Sequence, residues 1–333
     1  MDYGGRGDLL SRDLFAVGVD LGGTKIATGV TDLEGRVIQR IIAPTEPEYG
    51  AEHVIGNICR SVEDAISRAG VPRDKIVGIG VGSPGPLDPR SGIVIFAPNL
   101  KWKNVPLKAM IEASTKLPVW VGNDANLAAL GEMRFGAGKG SSNMIYITVS
   151  TGIGGGLIIN GEVFEGTSFI AGEVGHIVIV PDGPRCGCGN YGCLEAVASG
   201  TAIARVAREH AQEGMAEKIL SLAGGDPDKI SAKIVAQAAD QGDEEAISIL
   251  NEAFTYLGLG IVTLLNLLNP EVIVIGGGVS QIGARLFGKV QEVVSKRAIK
   301  AAVDVVRIVP SALGQDVGLV GAAALAIDSA LNR

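Results

Sequence analysis

Short runs of β-branched and other apolar residues, separated by glycines, dominate the first part of the chain. Residues 14–19 form such a run, the sequence D-L-G-G-T-K follows at 20–25, and a second apolar run occupies 26–31. This pattern predicts two strands joined by a glycine turn, that is, a β-hairpin. A third strand is predicted at 36–42, after the turn sequence D-L-E-G. The chain is therefore expected to begin with an antiparallel sheet.

The same arrangement of strand, glycine turn and strand occurs again about 130 residues later. Residues 143–149 are predicted to form a strand, S-T-G-I-G-G-G follows at 150–156, and 157–159 form the next strand, which ends in an N-G hairpin turn. The repetition suggests two related halves, each with a hairpin whose turn exposes backbone N–H groups. A third glycine cluster, G-G-G-V-S, follows a predicted strand at 272–275.

Apolar residues at helical spacing predict several helices, most of them in the second half of the chain. The first helix lies between strands, at 51–69, and Gly70 closes it. Two further strands are predicted at 76–81 and 119–121. The later helices are expected at 201–211, 230–240, 243–268, 284–296 and 316–331. Their charged residues fit solvent-exposed faces, and we assign them no function.

Composition narrows the class of protein. With 333 residues the chain can form two domains, and 47% hydrophobic against 20% charged residues is an ordinary globular composition. A net charge of -7, a pI near 5.2 and 4% aromatic residues disfavour nucleic-acid binding. The apolar run at 258–268 contains Thr263 and Asn266 and is too short for a membrane span, and residues 1–13 contain no apolar signal segment. We therefore expect a cytoplasmic protein that binds neither nucleic acid nor membrane.

The three glycine clusters are candidate nucleotide-binding segments. In the first turn, backbone N–H groups, the Thr24 hydroxyl and the Lys25 ammonium could hold phosphates, and Asp20 could bind Mg²⁺. A Walker A loop fits poorly, because the order is Thr-Lys and a strand pattern follows where a helix is needed. A glycine hairpin can also be only a turn. The candidate ATP-binding residues are Asp20, Gly22, Gly23, Thr24, Lys25, Thr151, Gly152, Gly154, Gly276, Gly277 and Gly278, the last three beside a base or ribose.

Three of the four cysteines fall within eight residues, close to a histidine. His176, Cys186, Cys188 and Cys193 have the spacing H-x9-C-x-C-x4-C. Thiolates and imidazole are preferred Zn²⁺ ligands, and four of them fill a tetrahedral shell, so the predicted metal is structural. A disulfide or a set of buried thiols is the alternative, although residues placed like Cys186 and Cys188 bridge poorly. Cys59, on the first predicted helix, is interpreted as a core residue.

Carboxylates occur at three positions where they could bind sugar hydroxyls. Glu173 and Glu195 flank the cysteine cluster, and each can accept two hydroxyl hydrogen bonds from a sugar diol. Asp124 lies in N-D-A-N at 123–126, between the end of a predicted strand and the start of a helix. It could cap that helix. It could equally serve as a catalytic base, with the neighbouring amides orienting a substrate hydroxyl.

Together these motifs resemble those of the ROK family of sugar kinases and sugar-responsive repressors, over nearly the whole chain from Leu14. The most specific segments are G-I-G-G-G-L at 152–157, G-E-V-G-H at 172–176 and C-G-C-G-N-Y-G-C-L-E at 186–195. The resemblance implies an α/β fold of the two-domain actin-like ATPase type, related to hexokinase and ribonuclease H, with the active site in a cleft between the domains. The implied parts are a smaller N-terminal domain at 14–122, a larger C-terminal domain at 123–315 with the zinc loop 176–193, and a last helix at 316–331 that packs back on the first domain.

The resemblance is strongest to the ROK kinases that phosphorylate glucose. It implies transfer of a phosphoryl group from ATP, with Mg²⁺, to the 6-hydroxyl of the sugar. Asp124 matches the base of the family. The positions that match its zinc ligands are His176, Cys186, Cys188 and Cys193. The positions that match its sugar-binding residues are Gly82, Ser83, Asn99, Asn123, Asp124, Glu173, His176 and Glu195.

The resemblance leaves the sugar and the donor open. N-acetylmannosamine, fructose, allose and mannose are alternative sugars, and polyphosphate is an alternative donor. Repressors of the family carry a DNA-binding helix-turn-helix ahead of the first phosphate turn, whereas only 19 residues precede Asp20 here. We therefore expect an enzyme rather than a sugar-responsive regulator. An actin-like or chaperone-like ATPase would not need carboxylates beside a zinc loop. We also expect a homo-oligomer, either a dimer or a tetramer.

Overall fold

The computed structural model describes residues 14–331, which form two compact units. Among these residues the first unit contains 14–140, 156–171 and 312–331, and the second contains 141–155 and 172–311. The predicted boundary after residue 122 falls inside the first unit. The expectation that residues 1–13 contain no signal segment concerns residues outside the described range.

Strands dominate the first half of this range, and helices dominate the second half. The strands are β1 (Phe15–Leu21), β2 (Lys25–Asp32), β3 (Val37–Pro44), β4 (Ile76–Ser83), β5 (Leu87–Asp88), β6 (Ile93–Ala97), β7 (Trp102–Val105), β8 (Val119–Asn123), β9 (Met144–Val149), β10 (Ile153–Ile159), β11 (Glu162–Val163), β12 (Val272–Gly276) and β13 (Arg307–Pro310). The α-helices are α1 (Ala51–Ala69), α2 (Leu107–Thr115), α3 (Asp124–Phe135), α4 (Leu194–Ala198), α5 (Gly200–Gln212), α6 (Glu217–Leu222), α7 (Ala232–Asp240), α8 (Glu244–Leu268), α9 (Ala284–Arg297), α10 (Lys300–Val303) and α11 (Val317–Leu331).

A five-stranded mixed sheet forms the centre of the first unit. Its strand order is β3-β2-β1-β4-β8, with β1 antiparallel to β2 and parallel to β4. The central strand β1 is almost wholly apolar, and Val17 and Val19 are fully buried. Burial on both faces explains why its sequence shows a continuous apolar run rather than strict alternation. The predicted three-stranded antiparallel start of the chain is confirmed.

Helix α1 covers one face of this sheet. Val54, Ile58 and Val62 recur every four residues and are fully buried, which gives the helix one apolar stripe against β2 and β3. Gly70 ends the helix with a left-handed backbone, φ 66°, a conformation that glycine adopts without steric cost. Both ends of this helix agree with the sequence prediction.

Helix α11 packs directly on the strands of the same sheet through glycines. A Cβ atom on Gly18 would lie 1.8 Å from the Leu319 carbonyl oxygen, and one on Gly80 would lie 1.7 Å from the Ala322 carbonyl oxygen. The missing side chains let backbone meet backbone, and Ala322 and Ala323 are fully buried there. The C-terminal helix therefore belongs to the first unit, although it is far from that unit in sequence.

This contact predicts a large stability effect at Gly80. Gly80→Ala should lower the free energy of unfolding by about 3 kcal/mol, because the added methyl group meets backbone atoms that have no room to move. Gly56→Ala is the control. Gly56 lies within α1, where a Cβ would touch only the end of the Arg60 side chain, and alanine there should stabilise the helix by up to about 1 kcal/mol. Urea unfolding of both variants measures the difference, and equal midpoints would contradict the packing argument.

The second unit contains the parallel strands β9, β12 and β13. Residues of β12 pair with β9 on one side and β13 on the other, and Val272, Ile273, Val274 and Ile275 are fully buried. The full order of the sheet is β11-β10-β9-β12-β13, and β10 contains the division between the two units. Helices α4 to α10 make up most of the remaining unit, in agreement with the predicted helix-rich second half.

Helix α8 is the longest helix in the described part of the chain. Asp243 caps its N-terminus by accepting the Ala246 N–H at 2.8 Å, and Asn269 ends it with a left-handed backbone. By length and composition alone this helix could cross a membrane. Half of its most apolar window is buried inside the protein, however, and a core helix passes the same test. It packs against α4, α7 and α9.

Two details differ from the sequence predictions. The turn predicted at 150–156 is shorter, because β10 already begins at Ile153 and includes the three glycines that follow. Gly156 is needed there because a Cβ would lie 2.6 Å from the Ala125 carbonyl oxygen. The sequence predicts a helix that Asn104 opens, with Pro106 in its first turn, but Asn104 does not open a helix. It lies in β7 with φ 53°, and α2 begins after Pro106.

Candidate functional site

Three neighbouring strands of the first unit bring together residues from distant parts of the sequence. Asp20 in β1 pairs with Gly82 in β4, and Ser83 in β4 pairs with Asn123 in β8. Asp124 follows directly as the first residue of α3. Because these strands run parallel, their carboxyl ends form one edge, where ligands commonly bind in α/β proteins. That edge carries two carboxylates.

The predicted phosphate turn joins β1 to β2 at the same edge. The Gly22 N–H donates to the Lys25 carbonyl oxygen at 3.0 Å, and the Thr45 hydroxyl donates to the Gly22 carbonyl oxygen at 2.7 Å. Thr24 and Lys25 are exposed at the tip. The turn therefore has a fixed backbone and presents one hydroxyl and one ammonium group to solvent.

Asn99 lies beside this turn, whereas Ser83 is turned into the protein. A Cβ atom on Gly23 would lie 3.3 Å from the Asn99 Cβ. Asn99 is exposed and belongs to a short 3-10 turn, 98–100. The Ser83 side chain is fully buried, and its hydroxyl donates to the Pro84 carbonyl oxygen at 3.4 Å. Of these predicted sugar-binding residues, Asn99 has an available side chain and Ser83 does not.

Asn123, rather than Asp124, caps helix α3. The Asn123 side-chain oxygen accepts the N–H groups of Ala125 and Asn126 at 3.0 and 3.1 Å. Asp124 is the first helical residue, and its Oδ1 accepts the Ala125 N–H at 2.8 Å. The capping role considered for Asp124 is thus filled by its neighbour. Asn126 is buried, so it does not offer its amide at the surface as a partner for a substrate hydroxyl.

The Asp20 carboxylate lies against the start of helix α11. A Cβ atom on Gly318, in the first turn of α11, would lie 2.5 Å from Asp20 Oδ2. Burial raises the pKa of Asp20, and the nearby Lys25 ammonium opposes that rise. The ionised carboxylate therefore lacks a fully compensating cation among the described residues. A divalent cation would supply that charge, which fits the predicted Mg²⁺ role.

Asp20→Asn should stabilise the protein when no ligand is bound. Because the folded-state pKa is raised, ionisation of Asp20 costs folding free energy, and that cost grows as pH rises above the ordinary pKa of 3.8. The variant should melt a few degrees higher than wild type at about pH 8, and the gain should shrink toward about pH 4.5. Thermal melts at both pH values measure it. A lower melting temperature at pH 8 would contradict the assigned cause.

In the second unit, the turn between β9 and β10 is held by the start of α5. The Ser150 N–H donates to the Gly152 carbonyl oxygen at 2.9 Å. The Gly200 N–H donates to the Ser150 carbonyl oxygen at 2.8 Å, and the Thr201 hydroxyl donates to the Thr151 carbonyl oxygen at 2.6 Å. These bonds occupy carbonyl groups of the turn. Within residues 14–331, the N–H groups of Thr151 and Gly152 donate to no protein acceptor.

A cavity of about 910 Å³ opens beside this turn. Its volume is in the range of small-molecule sites. Helices α5 and α7 and the 3-10 turn 278–282 form its walls, and Thr151 and Gly278 connect it to the glycine clusters. Its polar lining includes Arg208, Lys233, Gln237 and Gln281. Arg208 and Lys233 thus line the cavity, and Lys233 is also exposed to solvent, as predicted for the charges on these helices.

The three glycines at 276–278 have different roles. A Cβ on Gly276 would lie 2.4 Å from the Tyr146 hydroxyl oxygen, and one on Gly277 would lie 2.4 Å from the Val149 carbonyl oxygen. These two glycines allow close packing on β9. Gly278 is exposed and lines the cavity, so it is the member of the cluster that can lie against a ligand.

His176, Cys186, Cys188 and Cys193 converge, with their ligand atoms all within 4.8 Å of one another. The Cys188 and Cys193 sulfurs are 3.8 Å apart, and the Cys186 sulfur is 3.6 Å from His176 Nδ1. A tetrahedral zinc with ordinary bond lengths requires about 3.8 Å between two sulfurs and about 3.6 Å between sulfur and nitrogen. All four cysteines are free thiols, so the disulfide alternative is not found. The residues fit Zn²⁺.

The thiols of this cluster differ in acidity. Burial raises the pKa of Cys186 to about 12 and raises that of Cys193, whereas the Asn190 backbone N–H lowers the pKa of Cys188. A metal that binds the cluster must displace these protons, so its affinity should fall at low pH.

The two predicted sugar carboxylates of this unit have different surroundings. Glu173 is half exposed, and its Oε2 lies 3.9 Å from His176 Nε2, the ring nitrogen that does not face the sulfurs. Glu195 is partly buried, and its Oε2 accepts the Ile153 N–H at 2.9 Å. Its Oε1 lies 3.6 Å from the Cys186 sulfur. The Glu173 side chain is thus half exposed and, among the described residues, makes no bond to the turn, whereas one oxygen of Glu195 is occupied by the Ile153 N–H.

Comparison with known proteins gives one consistent family. A model of the ROK family matches residues 16–329. A glucokinase from Halalkalibacterium halodurans is 41% identical over 313 residues, which is 93% of this chain and 94% of that protein. A xylose repressor from Caldicellulosiruptor bescii is 34% identical over 316 residues, which is 95% of this chain and 79% of the repressor.

A solved structure gives the same result. The crystal structure of a ROK family glucokinase from Streptomyces griseus, in complex with glucose and AMPPNP, aligns with a TM-score of 0.80 at 40% identity. The alignment covers 93% of this chain and 98% of that one. ROK sugar kinases have the two-domain actin-like ATPase fold, so the predicted fold class is confirmed.

Proposed function

The chain belongs to the ROK family, and we propose that it transfers the γ-phosphoryl group of ATP to the 6-hydroxyl of glucose. One observation carries this proposal. At one edge of the first unit, Asp124 directly follows strand β8, Asp20 lies near the end of β1, and β4 lies between these two strands. The glycine turn with its exposed hydroxyl and ammonium joins β1 to β2 at the same edge. Phosphoryl transfer to an alcohol requires a base, a ligand for magnesium, and groups that donate hydrogen bonds to the phosphate oxygens.

The proton acceptor in this proposal is Asp124. It is the first residue of α3, and a carboxylate there can accept the proton of a substrate hydroxyl. The neighbouring Asn123 uses its side-chain oxygen to cap the helix, so its NH₂ group remains to donate to a sugar hydroxyl. The other positions that the family resemblance assigns to the sugar are Gly82, Ser83, Asn99, Glu173, His176 and Glu195.

The nucleotide is assigned to the glycine clusters and to the cavity of the second unit. Turns 20–25 and 150–152 supply backbone N–H groups for phosphate oxygens, and Lys25 adds a positive charge. Asp20 is the proposed Mg²⁺ ligand, and Mg²⁺ arrives with ATP. The cavity beside Thr151 and Gly278 has the volume and the mixed polar and apolar lining that a nucleoside needs.

The zinc in this proposal is structural. His176, Cys186, Cys188 and Cys193 would hold it with no position left for water, so it would fix the loop 176–193 and take no part in phosphoryl transfer. A dimer or tetramer remains our expectation for the assembled protein.

The proposal is tested by measuring ADP release from ATP and Mg²⁺ with a panel of sugars. Glucose should give the highest kcat/KM, above mannose, fructose, allose and N-acetylmannosamine. Replacing ATP by polyphosphate in the same assay tests the donor. Sugar binding without ADP release from any member of the panel would contradict the kinase assignment and favour a sugar-responsive regulator, the activity named for the xylose repressor relative.

A further inference from the structure

Glu195 lies where the metal cluster, helix α4 and the turn at 150–152 meet. It is the second residue of α4, and the preceding N-cap residue is the candidate metal ligand Cys193. Its Oε2 accepts the N–H of Ile153, the first residue of β10, at 2.9 Å. A Cβ atom on Gly152 would lie 2.3 Å from the same oxygen. The carboxylate is therefore in direct contact with the backbone of the turn.

The remaining bonds to this turn come from the residues that follow Glu195. Gly200 and Thr201, at the start of α5, donate to the carbonyl oxygens of Ser150 and Thr151. The segment 195–201 thus bonds to two carbonyl groups of the turn and to the N–H of Ile153, the residue that follows the turn. The N–H groups that it leaves open are those of Thr151 and Gly152, as described above.

A carboxylate this close to a phosphate-binding turn is electrostatically unfavourable for a phosphate unless it also helps to form the phosphate site. Hydrogen bonds from a backbone N–H to a carboxylate are stronger than those to a neutral acceptor, and they fix the peptide that donates. The peptide before Ile153 and the peptide that carries the Gly152 N–H meet at the Gly152 Cα, where glycine has wide backbone freedom. The Thr201 hydroxyl holds the second peptide through the Thr151 carbonyl oxygen, and Glu195 holds the first, so the two bonds together limit rotation at Gly152.

We propose that Glu195 is a positioning residue for the nucleotide, and that its bond to the Ile153 N–H aims the Thr151 and Gly152 N–H groups at a phosphate oxygen of ATP. This role rests on the proposed function and differs from direct binding of the sugar. It also accounts for the difference between the two carboxylates, because Glu173 makes no bond to the turn among the described contacts.

Four variants test whether the length or the charge of the Glu195 side chain matters for AMPPNP binding. Glu195→Asp keeps the charge but is too short to reach the Ile153 N–H. Glu195→Gln keeps an oxygen at the right length but loses the charge. Glu195→Ala removes both, and Glu217→Ala, at the exposed start of α6 in the same unit, is the matched control. The measurement is titration calorimetry with AMPPNP and Mg²⁺ in the absence of sugar, on protein whose zinc content and melting temperature match wild type.

Glu195→Ala and Glu195→Asp should each weaken AMPPNP binding about tenfold, whereas Glu195→Gln should stay within about threefold of wild type. Glu217→Ala should bind AMPPNP as wild type does. Wild-type AMPPNP affinity in Glu195→Asp would overturn the proposal, and should the alanine variant fail to fold, the Asp and Gln pair still decides it. A wild-type protein that binds no AMPPNP would instead overturn the proposed function itself.

Discussion

Asp124→Asn should lower kcat for glucose phosphorylation by about 10² or more while the variant still binds glucose. The asparagine has the same shape and can still accept the Ala125 N–H, so the helix start should persist. It cannot accept the proton of the attacking hydroxyl. Phosphoryl transfer depends chiefly on positioning and charge stabilisation, so the residual activity should remain measurable.

Initial rates at saturating ATP and glucose measure this effect. Asp74→Asn is the control, because Asp74 is an exposed aspartate of the same unit that lies in the short 3-10 turn 73–75. Its kcat should equal that of wild type. If Asp124→Asn also turned over at nearly the wild-type rate, Asp124 would not be the base.

Cys188→Ala should raise the glucose KM by about tenfold or more and lower the melting temperature. His176 belongs both to the metal cluster and to the predicted sugar ligands. With Nδ1 toward the sulfurs, Nε2 is left as a donor on the side of Glu173. Loss of the metal would release this ring, and displacements of about 1 Å in positioning groups can lower rate by roughly 10².

The matched control for this variant is Cys59→Ala. Cys59 is buried in α1 of the first unit and belongs to no metal cluster, so its replacement should affect only stability. Zinc content, melting temperature, glucose KM and ATP KM are measured on both folded variants. If Cys188→Ala loses zinc and melts earlier while both KM values stay near wild type, the metal only stabilises the fold.

Features formed by residues that are close together in the sequence were predictable. The limits of α1 follow from its apolar stripe and from Gly70, and the hairpin at 14–31 follows from its glycine turn. The metal cluster was also predictable, because Cys186, Cys188 and Cys193 are close in sequence and have few alternative arrangements.

Features that depend on distant segments were not predictable. In the sequence, Gly18 and Gly80 are simply unfavourable residues within predicted strands. Only the close packing of α11 explains why glycine occurs there. Arg208 and Lys233 resemble ordinary surface charges until α5 and α7 form the wall of one cavity. The bond between Glu195 and Ile153 joins residues 42 positions apart, and no local pattern indicates it.

The most direct test of the central claim is the proton-coupled phosphorus NMR spectrum of the sugar formed from glucose, ATP and Mg²⁺ by the wild-type protein. A phosphate on the 6-hydroxyl couples to the two protons of the adjacent carbon, so the account predicts a triplet that grows as the ATP signals decay. A doublet would place the phosphate on a ring carbon, and a spectrum with no sugar phosphate would exclude the transfer. Either result would contradict the assignment of this protein as a kinase for the 6-hydroxyl of glucose.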